Sequence, residues 1–125
     1  MNKATKIAAG TVFIVLLLTA VAQAQERKLT RAQLPPAVEK TVAAESQGAT
    51  IKGFATEVEN GRRLYEAELE INGRSKDISM DRNGNIVEVE EEVTMDSLST
   101  AVQDALRAAA GKGIIGKIES LTKNG

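Results

Sequence analysis

The sequence predicts an α+β fold: a helix packed on a four-stranded antiparallel meander sheet, followed by a second helix and a fifth strand. Three observations carry this. Asn-Gly pairs at Asn60-Gly61, Asn72-Gly73 and Asn83-Gly84 recur about every dozen residues, and such pairs favour the primed turns that join antiparallel strands. Between them Tyr65, Ala67, Leu69 and Ile71 alternate with Glu66, Glu68 and Glu70, a period of two. On either side of this stretch, Leu34, Val38 and Val42, and then Leu98, Val102 and Leu106, recur every four residues, the spacing of one helix face.

Taken in chain order, residues 1–24 have the layout of a cleavable signal peptide. Lys3 and Lys6 precede an uncharged run over 7–21, and Ala22-Gln23-Ala24 supplies the small residues of a cleavage site. The apolar run is shorter than the ~20 residues a spanning helix needs, so no stable membrane span is expected after cleavage. Residues 25–33 read as a lead-in. Leu34-Pro35-Pro36 opens the first helix, since proline is tolerated where the N–H groups have no intrahelical partner. That helix is expected over 35–46, stopped by Gly48.

The first strand is expected over 51–59. Ile51 is out of phase with Phe54, Thr56 and Val58, which predicts a bulge near Gly53. Ile78 and Met80 mark the third strand. Val87, Val89 and Val93 mark the fourth, where they alternate with Glu88, Glu90 and Glu92. Asp96 or Ser97 is expected to cap the second helix, and Gly111 and Gly113 to end it. A last strand is expected over 114–122. Leu34, Val38, Val42, Phe54, Val58, Tyr65, Leu69, Ile71, Ile78, Met80, Val87, Val89, Leu98, Val102 and Leu106 form the expected core.

Shifting the chain by 64 residues aligns it with itself. Leu34 falls on Leu98, Val38 on Val102, Ile51 on Ile115, Phe54 on Ile118, and Asn60-Gly61 on Asn124-Gly125. Residues 34–93 thus read as one full repeat and 94–125 as a partial second copy. A helix and one strand cannot bury an apolar stripe alone. The second copy must dock on the first, pair with another chain as a homodimer, or stay partly loose.

The opening Leu34-Pro35, Ala37-Val38, Ile51, the Tyr65-Glu66-Ala67 strand entry and Asp81-x-x-Gly84 before Ile86-Val87 resemble the PepSY-like domain. That group includes the family likened to the β-lactamase-inhibitor protein. The resemblance covers about residues 34–93, with 98–125 as a partial copy. It implies a helix on an antiparallel sheet, export, no catalysis, and a binding or inhibitory role towards proteins such as peptidases.

Composition narrows the chemistry. Histidine and cysteine are both absent, which removes the commonest general base, the thiolate nucleophile, disulfides and the usual zinc sites. Ser75 and Lys76 are adjacent, but neighbouring strand residues face opposite ways. Asp81-Arg82-Asn83-Gly84-Asn85 has its glycine fourth, where a calcium-binding EF-hand needs it sixth, and reads as a turn. No enzyme activity, cofactor or metal is therefore expected. Without a basic patch carrying interleaved aromatics, nucleic acid is not an expected partner.

Residues 55–104 hold 13 acids and 5 bases. Glu66, Glu68, Glu70, Glu88, Glu90 and Glu92 are expected to share one sheet face, read either as a solvated exterior or as a docking face. Three functions follow as expectations. The first is an exported, non-catalytic protein-binding module of PepSY-like type, periplasmic or extracellular, whose partner is another exported protein or peptide and which restrains a peptidase. The others are a cation-responsive envelope protein, and an assembly protein pairing through its incomplete repeat.

Overall fold

The computed structural model describes residues 26–124 and the backbone of residues 5–8. Of the expected signal peptide, residues 1–4 and 9–24, with the cleavage site, lie outside the described residues. Among the described residues the fold is α+β, with two α-helices and one sheet in the order β1-β7-β6-β5-β4-β3-β2. The strands are β1 (Thr5–Ala8), β2 (Arg27–Leu29), β3 (Thr50–Glu59), β4 (Arg62–Ile71), β5 (Arg74–Met80), β6 (Ile86–Val93) and β7 (Ile118–Lys123). The six strands β2 to β7 pair antiparallel, and β1 runs parallel to β7. The helices are α1 (Pro36–Glu45) and α2 (Thr100–Ala110).

Two of the three Asn-Gly pairs make the expected hairpin turns. Asn60 and Gly61 have φ of 50° and 77°, and Asn72 and Gly73 have 52° and 76°. Each pair joins directly opposed residues, Glu59 to Arg62 and Ile71 to Arg74. These are the positive dihedrals of a type I′ turn, whose twist matches the flanking strands. The expected bulge is also present, as a register shift between Ile51 and Gly53.

The third pair corrects the expectation. Residues 81–85 form a longer loop, closed by Asp81 N–H donating to Asn85 O at 2.9 Å and Gly84 N–H to Asp81 O at 3.0 Å. The Asp81 carboxylate accepts from the backbone N–H of Asn83 and Asn85 and from the Asn85 amide. A local aspartate cap of this kind competes successfully with the two-residue turn. These hydrogen bonds, led by that from the Asn85 side chain, hold Asp81 below the usual carboxylate range. The loop lies against α1, where the Thr41 hydroxyl donates to Gly84 O at 2.6 Å. A side chain at Gly84 would run into Ala37 O and Thr41 Oγ1. The glycine of the Asp81-x-x-Gly84 motif is thus the point where loop backbone touches helix backbone.

Two apolar clusters lie on one side of the sheet. In the first, Val38 and Val42 of α1 join Leu34, Phe54, Ala67, Leu69, Ile78 and Met80. In the second, Leu106 of α2 and Ile118 of β7 are packed by Val93, Met95, Leu98, Val102 and Ile115. Cross-strand pairs share a face. Ile78 pairs with Val89, and Val93 and Ile118 follow in the same phase, so both clusters fall on the same face.

The repeat at an offset of 64 residues extends further upstream than residue 34. Arg27↔Thr56, Lys28↔Ala55 and Leu29↔Phe54 recur as Glu91↔Ser120, Glu92↔Glu119 and Val93↔Ile118. The short 3-10 turn Arg31–Gln33 recurs as Met95–Ser97, and α1 at Pro36 recurs as α2 at Thr100. The repeated unit is therefore strand, 3-10 turn, helix, strand.

Several expectations are corrected. The lead-in contains a real strand, β2, so five strands was an undercount. Val58 is 40% exposed rather than core, because it lies at the hairpin end, outside both clusters. The cap of α2 is Ser99, whose Oγ accepts from Val102 N–H at 3.3 Å. Ser97 instead bonds Thr94 O within the preceding 3-10 turn. The final strand starts at Ile118, later than residue 114.

Candidate functional site: the carboxylate face

The sheet face turned away from the two clusters is set by the Glu alternation in β4 and β6. The register brings all six candidate residues onto it. Ala55, Glu66, Ser79, Glu88 and Lys123 form one cross-strand row. Gly53, Glu68, Asp77, Glu90 and Leu121 form the next. Glu70 pairs with Ser75, whose N–H donates to Glu92 Oε2 at 3.2 Å, and Glu92 pairs with Glu119. Glu57 lies at the margin opposite Leu64.

Asp77 and Glu119 belong to this face although the alternation did not single them out. Asp77 sits between Glu68 and Glu90, so three acids occupy successive positions of one row. The signal for it was its phase, one residue before Ile78. Glu119 had no such pattern around it, because its strand is short and mixed.

The lysines and arginines are unevenly spread over this arrangement. Lys123 Nζ reaches Glu88 at 3.3 Å, Lys117 Nζ reaches Glu119 at 3.2 Å, and Lys52 Nζ lies 3.9 Å from Glu70. All three contacts are at the ends or edges of the sheet. Lys76 points to the opposite face, where it meets Glu91 at 3.4 Å. Ser75 and Lys76 therefore face opposite ways.

The electrostatic result is a set of carboxyls that resist ionisation. Burial pushes Glu66 up to about 8, with Asp77 the largest charge acting in the same direction. Burial also pushes Asp77 up to about 6, aided by Glu90 and Glu68. Glu57 is raised by burial and then by Glu59. Glu119 is raised by burial and by a side-chain hydrogen bond with Glu90, against the pull of Lys117. Glu66 therefore keeps its proton at neutral pH, and the face is more than a row of solvated charges.

At one end of this face a cleft of about 250 Å³ is lined by Glu59, Arg62, Leu64, Glu88 and Lys123, among others. Among the described residues no group of three or more acids is placed to hold a metal ion. Among them, too, no helix is long and apolar enough to cross a membrane.

Fold and site together define a repeated α+β unit with helices on one sheet face and carboxylates on the other. No family model matches the chain, and no curated protein matches it. One similar solved structure comes from Bacteroides thetaiotaomicron and is described as a proposed calcium-regulated periplasmic protein. It is 17% identical, the match covers 70% of this chain and 68% of that one, and the TM-score is 0.43.

Proposed function

We propose that the mature chain is an exported, non-catalytic protein-binding module whose carboxylate face docks a basic segment of another exported protein or peptide. The row Glu68–Asp77–Glu90 is the observation that carries this reading. Like charges directly opposite one another destabilise a sheet, and here the cost is repeated across three strands. A cationic partner offsets that repulsion and draws the raised carboxyls back towards ionisation. The resemblance to the PepSY-like domain suggests a peptidase as the class of protein restrained in this way.

The test uses an extended peptide rich in lysine and arginine as probe, with fluorescence anisotropy as readout. Binding is expected to weaken with added salt, and to weaken as pH falls from 8 to 5 and the carboxyls take up protons. Glu68→Lys and Glu90→Lys are expected to abolish it. Equal binding by the charge-reversed proteins would reject the acidic face as the docking surface.

A further inference from the structure

In the first repeat, β3 has β2 on one edge and β4, antiparallel, on the other. Its counterpart β7 has β6 on the equivalent first edge. Its second edge, where the repeat would place an antiparallel neighbour, is taken by Thr5–Ala8 running parallel along Ile118–Leu121. That segment belongs to residues 1–24, the expected signal peptide. Its removal leaves a row of backbone N–H and C=O groups along β7 without a strand beside them, and such an edge templates pairing.

We propose that, after removal of residues 1–24, β7 pairs antiparallel with β7 of a second copy, with the two-fold axis at Leu121. This register sets Leu121 against its own copy, and Ser120 against Thr122. Glu119 of each chain then faces Lys123 of the other. Glu119, Leu121 and Lys123 share the carboxylate face, as their partners Glu92, Glu90 and Glu88 show. Moving the axis by half a residue or one residue places Glu119 against Thr122 or Leu121 and loses both ion pairs. A lysine on an edge strand ordinarily blocks pairing. Here the glutamate four residues earlier supplies its partner across the axis. A two-fold axis requires the same patch on both copies, a condition one antiparallel strand satisfies by itself. The dimer joins two carboxylate faces into one continuous sheet surface.

The proposal rests on the leader being removed, and it is independent of what the acidic face binds. Both core clusters are drawn from residues between Leu29 and Ile118, so the chain from residue 25 onward retains both clusters and is the species to test. A contact of one short strand is small, so the dimer is expected to be weak, with Kd on the order of 10–100 μM. Light scattering up to ~0.5 mM, well above that range, should show concentration-dependent dimers. Glu119→Lys and Lys123→Glu should each weaken dimerisation about tenfold, because two attractive cross-strand pairs become repulsive. The double variant should restore it.

The chain lacks cysteine, so Leu121→Cys gives a clean second readout. Oxidation should link two copies through it, and should not link Thr122→Cys, which faces Ser120. A strict monomer at every concentration, or a dimer that neither charge variant weakens, overturns the proposal. If the charge variants do not fold, absence of a Leu121→Cys cross-link overturns it. Dimerisation unaffected by Glu68→Lys would separate this result from failure of the docking reading.

Discussion

Replacing Gly84 by alanine should destabilise the protein by about 2.5–4.5 kcal/mol, the sum of three local effects less one offset. Gly84 has φ of 79°, a left-handed conformation that costs an L-residue roughly 1–2 kcal/mol. Its new Cβ would meet Ala37 O and Thr41 Oγ1 on α1. Relieving that overlap means moving the helix off the loop, at about 1–2 kcal/mol by the usual cost of overpacking. The move also stretches the 2.6 Å hydrogen bond from Thr41 Oγ1 to Gly84 O, worth about 1 kcal/mol. A partial offset of about 0.5 kcal/mol comes from the stiffer unfolded chain.

Gly48 is the internal control. Its φ is 75°, and nothing lies within 4 Å of where its Cβ would stand. Gly48→Ala should therefore cost only the left-handed penalty, about 1 kcal/mol. Urea unfolding of the two variants, read by circular dichroism at a common denaturant slope, measures the difference. Equal losses would refute the conclusion that Gly84 is where the Asp81 loop is fastened to α1.

Three further outcomes follow from the same structure. Glu66→Gln should stabilise the fold by about 1–3 kcal/mol at pH 7, after discounting for the solvent that still reaches this half-buried group. Its folded-state value of about 8 lies above the ordinary 4.5, so the folded chain holds more protons between those limits and stability falls as pH rises through that window. Urea titrations at pH 5 and pH 8 should show the wild-type loss shrinking in the variant, and an unchanged pH dependence would count against burial of Glu66. Ile78→Ala, at a position 1% exposed, should cost about 3–4 kcal/mol, whereas Val58→Ala should cost under about 1 kcal/mol. Thermal melts compare them, and similar losses would mean that the hairpin end is packed after all.

Most of the fold was legible because the acids mark phase. Glu66, Glu68 and Glu70 fix the outer face of β4, and Glu88, Glu90 and Glu92 do so for β6. A shift of one residue would bury them all. The helices were legible from Val38–Val42 and Val102–Leu106, and the repeat from the coincidence of Leu34 with Leu98 and Phe54 with Ile118. What escaped were features fixed by partners distant in sequence. Arg27–Leu29 is too short to alternate, and is a strand only because Phe54, Ala55 and Thr56 lie beside it. Val58 has the phase of a core residue but lies outside both apolar clusters. Asn83-Gly84 shares its dipeptide with the other turns, but Asp81 two residues earlier caps the loop and changes its type.

The same division holds for the site. The six glutamates were readable one strand at a time. The row joining Glu68 to Glu90 through Asp77 depends on the pairing of β5 with both neighbours. Raised carboxyls cannot be read from any one strand, because burial and facing charges act across three of them.

A site-resolved carbon NMR titration of the side-chain carboxyls, run on the chain from residue 25 onward with and without the basic peptide, puts the carboxylate face to the test. In the free protein Glu66 should titrate near 8 and Asp77 near 6, and both midpoints should fall when the peptide binds. Midpoints at ordinary carboxylate values in the free protein, or midpoints that the bound peptide leaves in place, would contradict it.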